Sequence, residues 1–189
     1  MIGRTYPNLS FQTFYLSKEI CNCPLITDIV RVIKNFKTIG LLKKISQVSI
    51  SMKYGKRILI NSKNSDFNDL KAEDFLEIVD YDPLKRVLLV MGPKEPRNET
   101  PVHWMIHHAR DEVNVIIQIF DEQLYGQLDK KLSQTDKKYP INTIEQVKEI
   151  LLKLRDSKNV LIKDNGVIIV GNNMKEVEDS VKRIYEELK

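Results

Sequence analysis

The sequence predicts one α/β domain, a three-layer α/β/α sandwich around a mixed, largely antiparallel central sheet. Three observations predict it. A length of 189 residues matches a single domain of ordinary size. Segments whose apolar residues alternate interleave, along the whole chain, with segments whose apolar residues recur every three or four. Turn formers join neighbouring strand-like segments at Tyr54-Gly55, Asp82-Pro83 and Asp164-Asn165-Gly166. Such short connections make hairpins, and hairpins exclude an all-parallel, doubly wound sheet.

Residues 1–22 show no sustained period and contain Pro7, Asn8 and Ser10, so they read as an irregular or partly strand-like lead-in to a domain spanning 23–189. Leu25, Ile29, Ile33 and Phe36, helped by Val30, form the apolar stripe of a first helix, which Gly40 can cap. Gln47 to Met52, with Val48, Ile50 and Met52 alternating, and Arg57 to Ile60 read as a hairpin. After the polar stretch Asn61 to Asn68, Phe75 to Val79 and Arg86 to Met91 add two strands. Pro93, Pro96 and Asn98 stiffen a loop that feeds a helix over Glu99 to Arg110, with Val102, Met105 and Ile106 inward. Val113 to Phe120 is almost continuously apolar, the pattern of a strand covered on both faces. Thr143 and Gln146 form a capping box ahead of Ile144, Val147, Ile150, Leu151 and Leu154. Val160 to Ile162, the Asp164-Asn165-Gly166 turn and Val167 to Val170 make a last hairpin, followed by a helix with Val177, Val181, Ile184 and Leu188 inward.

Composition narrows the function classes. Hydrophobic residues make up 42% and charged residues 30%, an ordinary globular balance, and no stretch approaches the roughly 18 apolar residues of a membrane span. Thirty Lys and Arg against 26 Asp and Glu leave +4, without a basic run, so neither nucleic acid nor membrane is the expected partner. Cys21 and Cys23 are too close in sequence for an ordinary disulfide, and the N-terminus shows no apolar signal region. A cytoplasmic protein with free thiols is expected.

Three clusters of side chains invite a chemical reading. His103 and His107 are spaced i, i+4 on one helix with Glu99 one turn earlier, which makes Glu99-His103-His107 a conceivable metal site. The competing reading places these imidazoles at the helix surface, solvated or bonded to backbone. Cys21-Asn22-Cys23 has no second cysteine pair to complete a soft-metal site. Asp164-Asn165-Gly166 is hairpin chemistry in the first place, because Asn and Gly tolerate positive φ.

From Ile39 onward, about four fifths of the chain, the order of segments resembles the class II aldolase/adducin family. Gly40-Leu41-Leu42 and Ser46-Gln47-Val48-Ser49 resemble the end of its first helix and its Gly-Asn-x-Ser motif. Ile60 to Leu70, Asp74 and Val79-Asp80 resemble its second loop and the strand ending in Val-Asp. Pro96-Arg97-Asn98-Glu99 with Pro101-Val102-His103 resembles the Pro-Ser-Ser-Glu loop and the helix it opens. Ala109-Arg110 and Val113 to Phe120 resemble the end of that helix and the strand that carries a His-x-His pair, and Asp164-Asn165-Gly166-Val167 with Val170-Gly171 resembles the closing Asn-His-Gly hairpin. The resemblance implies a sugar-phosphate aldolase or epimerase fold, Glu99 at the acid/base position, and a homotetramer.

The departures shape the functional expectation. The resemblance puts the family's three metal-binding histidines on Gln118, Phe120 and Asn165. Neutral amides and a phenyl ring are poor ligands for catalytic zinc, and the family's enediolate chemistry needs that Lewis acid. The phosphate positions become Ser46-Gln47, Lys63-Asn64 and Arg97-Asn98, so long side chains replace backbone cradles. Gln47, Lys63, Arg97 and Asn98 are therefore the candidate ligand-binding residues, Lys63 and Arg97 supplying charge for a small anion, although both could instead point into solvent. The expectation is a module binding an anionic, sugar-phosphate-like ligand or a protein partner, without cofactor and with Glu99 as a relic. The alternative is an active, metal-dependent aldolase or epimerase, with zinc or another divalent ion rebuilt on Glu99, His103 and Asp121 or Glu122. A metal-free lyase or isomerase is a third possibility.

Overall fold

The computed structural model describes residues 11–40, 47–120, 128, 132–140 and 142–186. Pro7, Asn8, Ser10, Leu41, Leu42, Ser46, Asp121, Glu122 and Leu188, all named above, lie outside the described residues. The chain runs β1 (Gln12–Ser17), α1 (Leu25–Thr38), β2 (Gln47–Tyr54), β3 (Arg57–Asn61), β4 (Phe75–Asp82), β5 (Val87–Met91), α2 (Thr100–Ala109), β6 (Val115–Phe120), β7 (Ser133–Gln134), α3 (Ile144–Lys153), β8 (Asn159–Ile162), β9 (Gly166–Gly171) and α4 (Met174–Glu186). The described strands form one nine-stranded sheet in the order β1-β5-β4-β3-β2-β6-β9-β8-β7. Only β1 with β5 and β7 with β8 run parallel; the other six pairings are antiparallel.

The layers follow from the pleat. Along β6, Val115, Ile117 and Ile119 join Val48 and Ile50 of β2 under α1 and α4, where Ile29, Ile33 and Phe36 meet Val177, Val181 and Ile184. Ile116 points the other way, with Ile168 and Val160, into a core closed by Val102 and Ile106 of α2 and Val147 and Ile150 of α3. A third cluster, Ile58, Ile60, Leu76, Ile78, Leu88 and Val90, lies under the partly buried Trp104 and Met105 of α2. Helix α2 therefore spans two cores and anchors the loop that precedes it.

Local signals behave largely as their chemistry dictates. Gly40, at φ +77°, closes α1 with its N–H on the Lys37 carbonyl at 3.0 Å. Thr143 Oγ1 accepts from Gln146 N at 3.2 Å, but Gln146 Oε1 accepts from Asn142 N at 2.8 Å, one residue before a standard capping box. In the last hairpin Asp164 and Gly166 take positive φ, and Asn165 does not. The strand-like part of the lead-in is β1, an edge strand in register with Val87 to Met91. Strand β7, two residues long, left no readable signal in the sequence.

Gly92 sits where β5 ends, at φ +141°, and its N–H bonds the Ser17 carbonyl at 2.9 Å. A Cβ there would stand 2.8 Å from Leu76 Cβ and 3.0 Å from the Phe75 carbonyl. Backbone strain and overpacking both oppose a side chain, so Gly92→Ala should destabilise the fold by about 2–4 kcal/mol. Denaturant unfolding checks this; an unchanged midpoint would contradict the packing described.

Candidate functional site

Two loops meet at one end of the sheet. The chain leaves β3 at Asn61, whose side chain takes over the ladder there: Asn61 Oδ1 accepts from Ile50 N at 2.7 Å and Nδ2 donates to the Val48 carbonyl at 3.2 Å. That substitution keeps the start of β2 extended, and Gln47 with it. The following loop is tied down by Ser62 N on the Asp74 carbonyl (2.7 Å) and by Ser65 Oγ donating to the Ser62 carbonyl (2.8 Å). Lys63 N donates to the Glu95 carbonyl at 2.9 Å, which pins this loop to the one between β5 and α2. Between them lies a cleft of about 360 Å³. All five residues singled out in the sequence, Gln47, Lys63, Arg97, Asn98 and Glu99, line it, beside Asn64, Ser65 and Phe67.

The charges in this cleft are unequal. Arg97 and Glu99 are 9% and 6% exposed, and Arg97 Nε donates to Glu99 Oε1 in a buried ion pair at the head of α2. A buried charge without a partner costs several kcal/mol, so each holds the other in place. A guanidinium carries five N–H groups. Among the described residues no partner is found for the four that remain on Arg97. Lys63 is half-exposed and pairs at 3.4 Å with Glu95, itself 72% exposed, a contact that solvent screens. Gln47 and Asn98 are exposed, with their amides free to turn toward a ligand.

The histidines overturn the expectation of surface imidazoles. His103 and His107 are fully buried, and His108 alone is exposed, stacked on Trp104 at 3.7 Å. Ser51 Oγ lies 2.7 Å from His103 Nδ1 and 2.8 Å from His107 Nε2, while His107 Nδ1 lies 3.1 Å from the Val113 carbonyl. A carbonyl only accepts, so the His107 proton sits on Nδ1 and its Nε2 accepts from Ser51 O–H. Ser51 Oγ in turn accepts from His103 Nδ1–H, and His103 Nε2 is left as a bare lone pair. The Gln118 amide lies beside that lone pair, outside good hydrogen-bond geometry. Burial, helped by the neighbouring His107, pushes His103 down to about 3, and burial pushes His107 down to about 4. Both rings are neutral. Three of their four nitrogens serve the fold, and Glu99, His103 and His107 are not grouped so as to hold an ion.

The residues at the other candidate metal positions come together but do not suit zinc. Gln118 pairs with Ile168 and Phe120 with Gly166, next to Asn165 in the β8–β9 turn. Gln118 Oε1 and Asn165 Oδ1 are buried without a hydrogen-bond partner. They are neutral amide oxygens, whereas zinc takes thiolate, imidazole or carboxylate. Among the described residues no three His, Cys, Asp or Glu side chains are grouped so as to hold an ion. Cys21 and Cys23 are buried free thiols, and burial, followed by the Glu77 charge, pushes Cys21 up to about 11. Among the described residues no helix is long and apolar enough to cross a membrane.

Comparisons with known proteins agree with this fold. Residues 27–119 match the family described as Class II Aldolase and Adducin N-terminal domain. No curated protein matches the chain in sequence. Among solved structures, an L-fuculose 1-phosphate aldolase is 14% identical over 89% of this chain and 84% of its own, with a TM-score of 0.72. The L-fuculose-1-phosphate aldolase of Thermus thermophilus is 16% identical over 86% and 91%, at 0.65. A sugar-phosphate aldolase from Thermotoga maritima is 17% identical over 86% and 90%, at 0.64. At these identities the likeness is one of fold.

The buried histidine pair makes stability acid-sensitive. The unfolded chain takes up protons near the ordinary value of 6.5, whereas the folded pair resists them to about 3 and about 4. Stability is complete above 6.5 and falls as pH drops toward 4. Each histidine should contribute a loss of about 1.4 kcal/mol per pH unit in that window. Denaturant midpoints between pH 7 and 4.5 measure it, against the triple variant Ser51→Ala, His103→Leu, His107→Leu. The variant should show a shallower slope; an equal slope would place the acid sensitivity elsewhere.

Proposed function

From a chain that belongs to the class II aldolase and adducin family, we propose a binding module for a small anionic, sugar-phosphate-like ligand that no longer performs metal-dependent aldol chemistry. The observation that carries this reading is the Arg97–Glu99 pair. Glu99 occupies the position that the family resemblance gives to the acid/base residue, and here its carboxylate is committed to a buried guanidinium. Bonded to that guanidinium and 6% exposed, the carboxylate is held as a structural counter-ion and not presented to a ligand. The same contact holds Arg97 with its remaining N–H groups available, and a planar fork with spare donors suits a phosphate. Gln118, Phe120 and Asn165 stand where the resemblance places metal-binding histidines, so the ion that would stabilise an enediolate has no fitting ligands.

Lys63 supplies a second positive charge at the mouth, and Gln47 and Asn98 offer neutral amides for hydroxyl groups. As in the family it resembles, the chain is proposed to assemble as a homo-oligomer, most simply a tetramer, and to work in the cytoplasm. Light scattering at micromolar concentration giving the mass of a single 22.1 kDa chain would reject the assembly.

Two measurements test the function together. Protein purified without chelator should hold well under one zinc per chain, keep its melting temperature in chelator, and show no retro-aldol cleavage of small sugar phosphates. Calorimetric titration with a small sugar phosphate should give saturable heat, and Arg97→Ala should weaken it by at least about tenfold, the loss of a charge-assisted hydrogen bond. A stoichiometric, chelator-sensitive ion with measurable cleavage restores the enzyme. Absence of binding removes the anion site.

A further inference from the structure

A second cleft of about 370 Å³ adjoins the first. Its floor is one face of β1 and the residue before it: Phe11, Thr13 and Tyr15, two apart and therefore on the same side of the strand. Glu95 and Pro96, from the loop that also carries Arg97, line it as well. Lys63 and Asn98 line both clefts, so the two spaces share a wall rather than lying on separate parts of the surface. Alone, each is at the small end for a ligand pocket, roughly 300–1,000 Å³; joined, they suit a larger ligand.

The chemistry of the two ends differs. The Arg97 end is polar and charged. The β1 end is aromatic: Phe11 and Tyr15 rest on the core beneath them, half-buried. The Tyr15 hydroxyl donates to the Lys94 carbonyl at 3.3 Å, which fixes the ring, and Lys18 Nζ stands 5.1 Å from its centroid. Lys18 and Lys63 bias this end toward anions, and among the described residues Glu95 is the one acidic residue on its wall. A flat ring between Tyr15 and Pro96 would gain stacking and apolar contact, and an anionic group attached to it would reach Lys63 and Arg97 across the shared wall.

We propose that β1 and the β5–α2 loop form a ring-binding slot next to the anion site, and that the ligand is a phosphate monoester of a planar, aromatic or nucleobase-like group. This rests on the anion-site reading above and adds the class of the ester. It also gives β1 a role, because Phe11, Thr13 and Tyr15 form the floor of that slot.

Calorimetric titration of the full chain with methyl phosphate and with phenyl phosphate separates the two readings. Phenyl phosphate should bind at least about tenfold more tightly than methyl phosphate, in line with the value of stacking a ring on an aromatic side chain. Tyr15→Leu should reduce that ratio to within about threefold, whereas Arg97→Ala should weaken both esters alike and keep the ratio. Because Tyr15 also packs on the core, the half-buried Thr13→Tyr serves as a second variant, which fills the slot and should likewise abolish the preference. Equal affinity for the two esters, or a preference that survives both Tyr15→Leu and Thr13→Tyr, overturns the slot and leaves the anion site standing. Failure of both esters to bind overturns the anion site and the slot with it.

Discussion

A carboxylate and a guanidinium, each under a tenth exposed, face each other at the head of α2, and neither can lose the other without leaving a buried charge alone. That pair decides how the loop between β5 and α2 enters the helix. The loop is held from the other side by the Lys63 N–H on the Glu95 carbonyl, which ties together the two loops that frame the cleft. Below them, the Asn61 amide stands in for the missing ladder of β3 and keeps Gln47 at the cleft floor. The cleft is thus built on fixed backbone, and its charges are placed by bonds the fold needs anyway.

A second polar constraint runs beneath α2. Strand β2 is central, with β3 on one side and β6 on the other, and its serines face a helix instead of water. Ser51 meets this by bridging two neutral imidazoles in a chain of hydrogen bonds anchored on the Val113 carbonyl. Such a seat is stable only while both rings are uncharged, which links the packing of α2, and through it the cleft loop, to pH. Gln118, Ser49 and Thr100 add buried polar atoms without partners around the same helix, polar positions in what is otherwise an apolar layer.

Much of this was legible in the sequence, for reasons that particular residues make plain. Hairpins at Tyr54-Gly55, Asp82-Pro83 and Asp164 to Gly166, the apolar run of β6 and the Thr143 cap are local signals, and each strand or helix they mark is present. The residues lining the first cleft were also readable, because they sit on two loops whose motifs resemble a known family. The histidines were not. Ser49 and Ser51 alternate with Val48, Ile50 and Met52, and only the placement of α2 over the serine face buries His103 and His107. Ser51 escaped notice for the same reason. The aromatic cleft depends on the parallel pairing of β1 with β5, two segments some seventy residues apart that no local pattern connects.

The central claim is that Glu99 is the counter-ion of Arg97 and not an acid/base group, and phosphate titration of Glu99→Gln tests it most directly. Removing the carboxylate charge leaves the guanidinium without its partner, so the variant should bind inorganic phosphate several-fold more tightly than the native chain, with no change in retro-aldol rate from zero. Unchanged phosphate affinity together with loss of a measurable native cleavage rate would contradict the account and return Glu99 to catalysis.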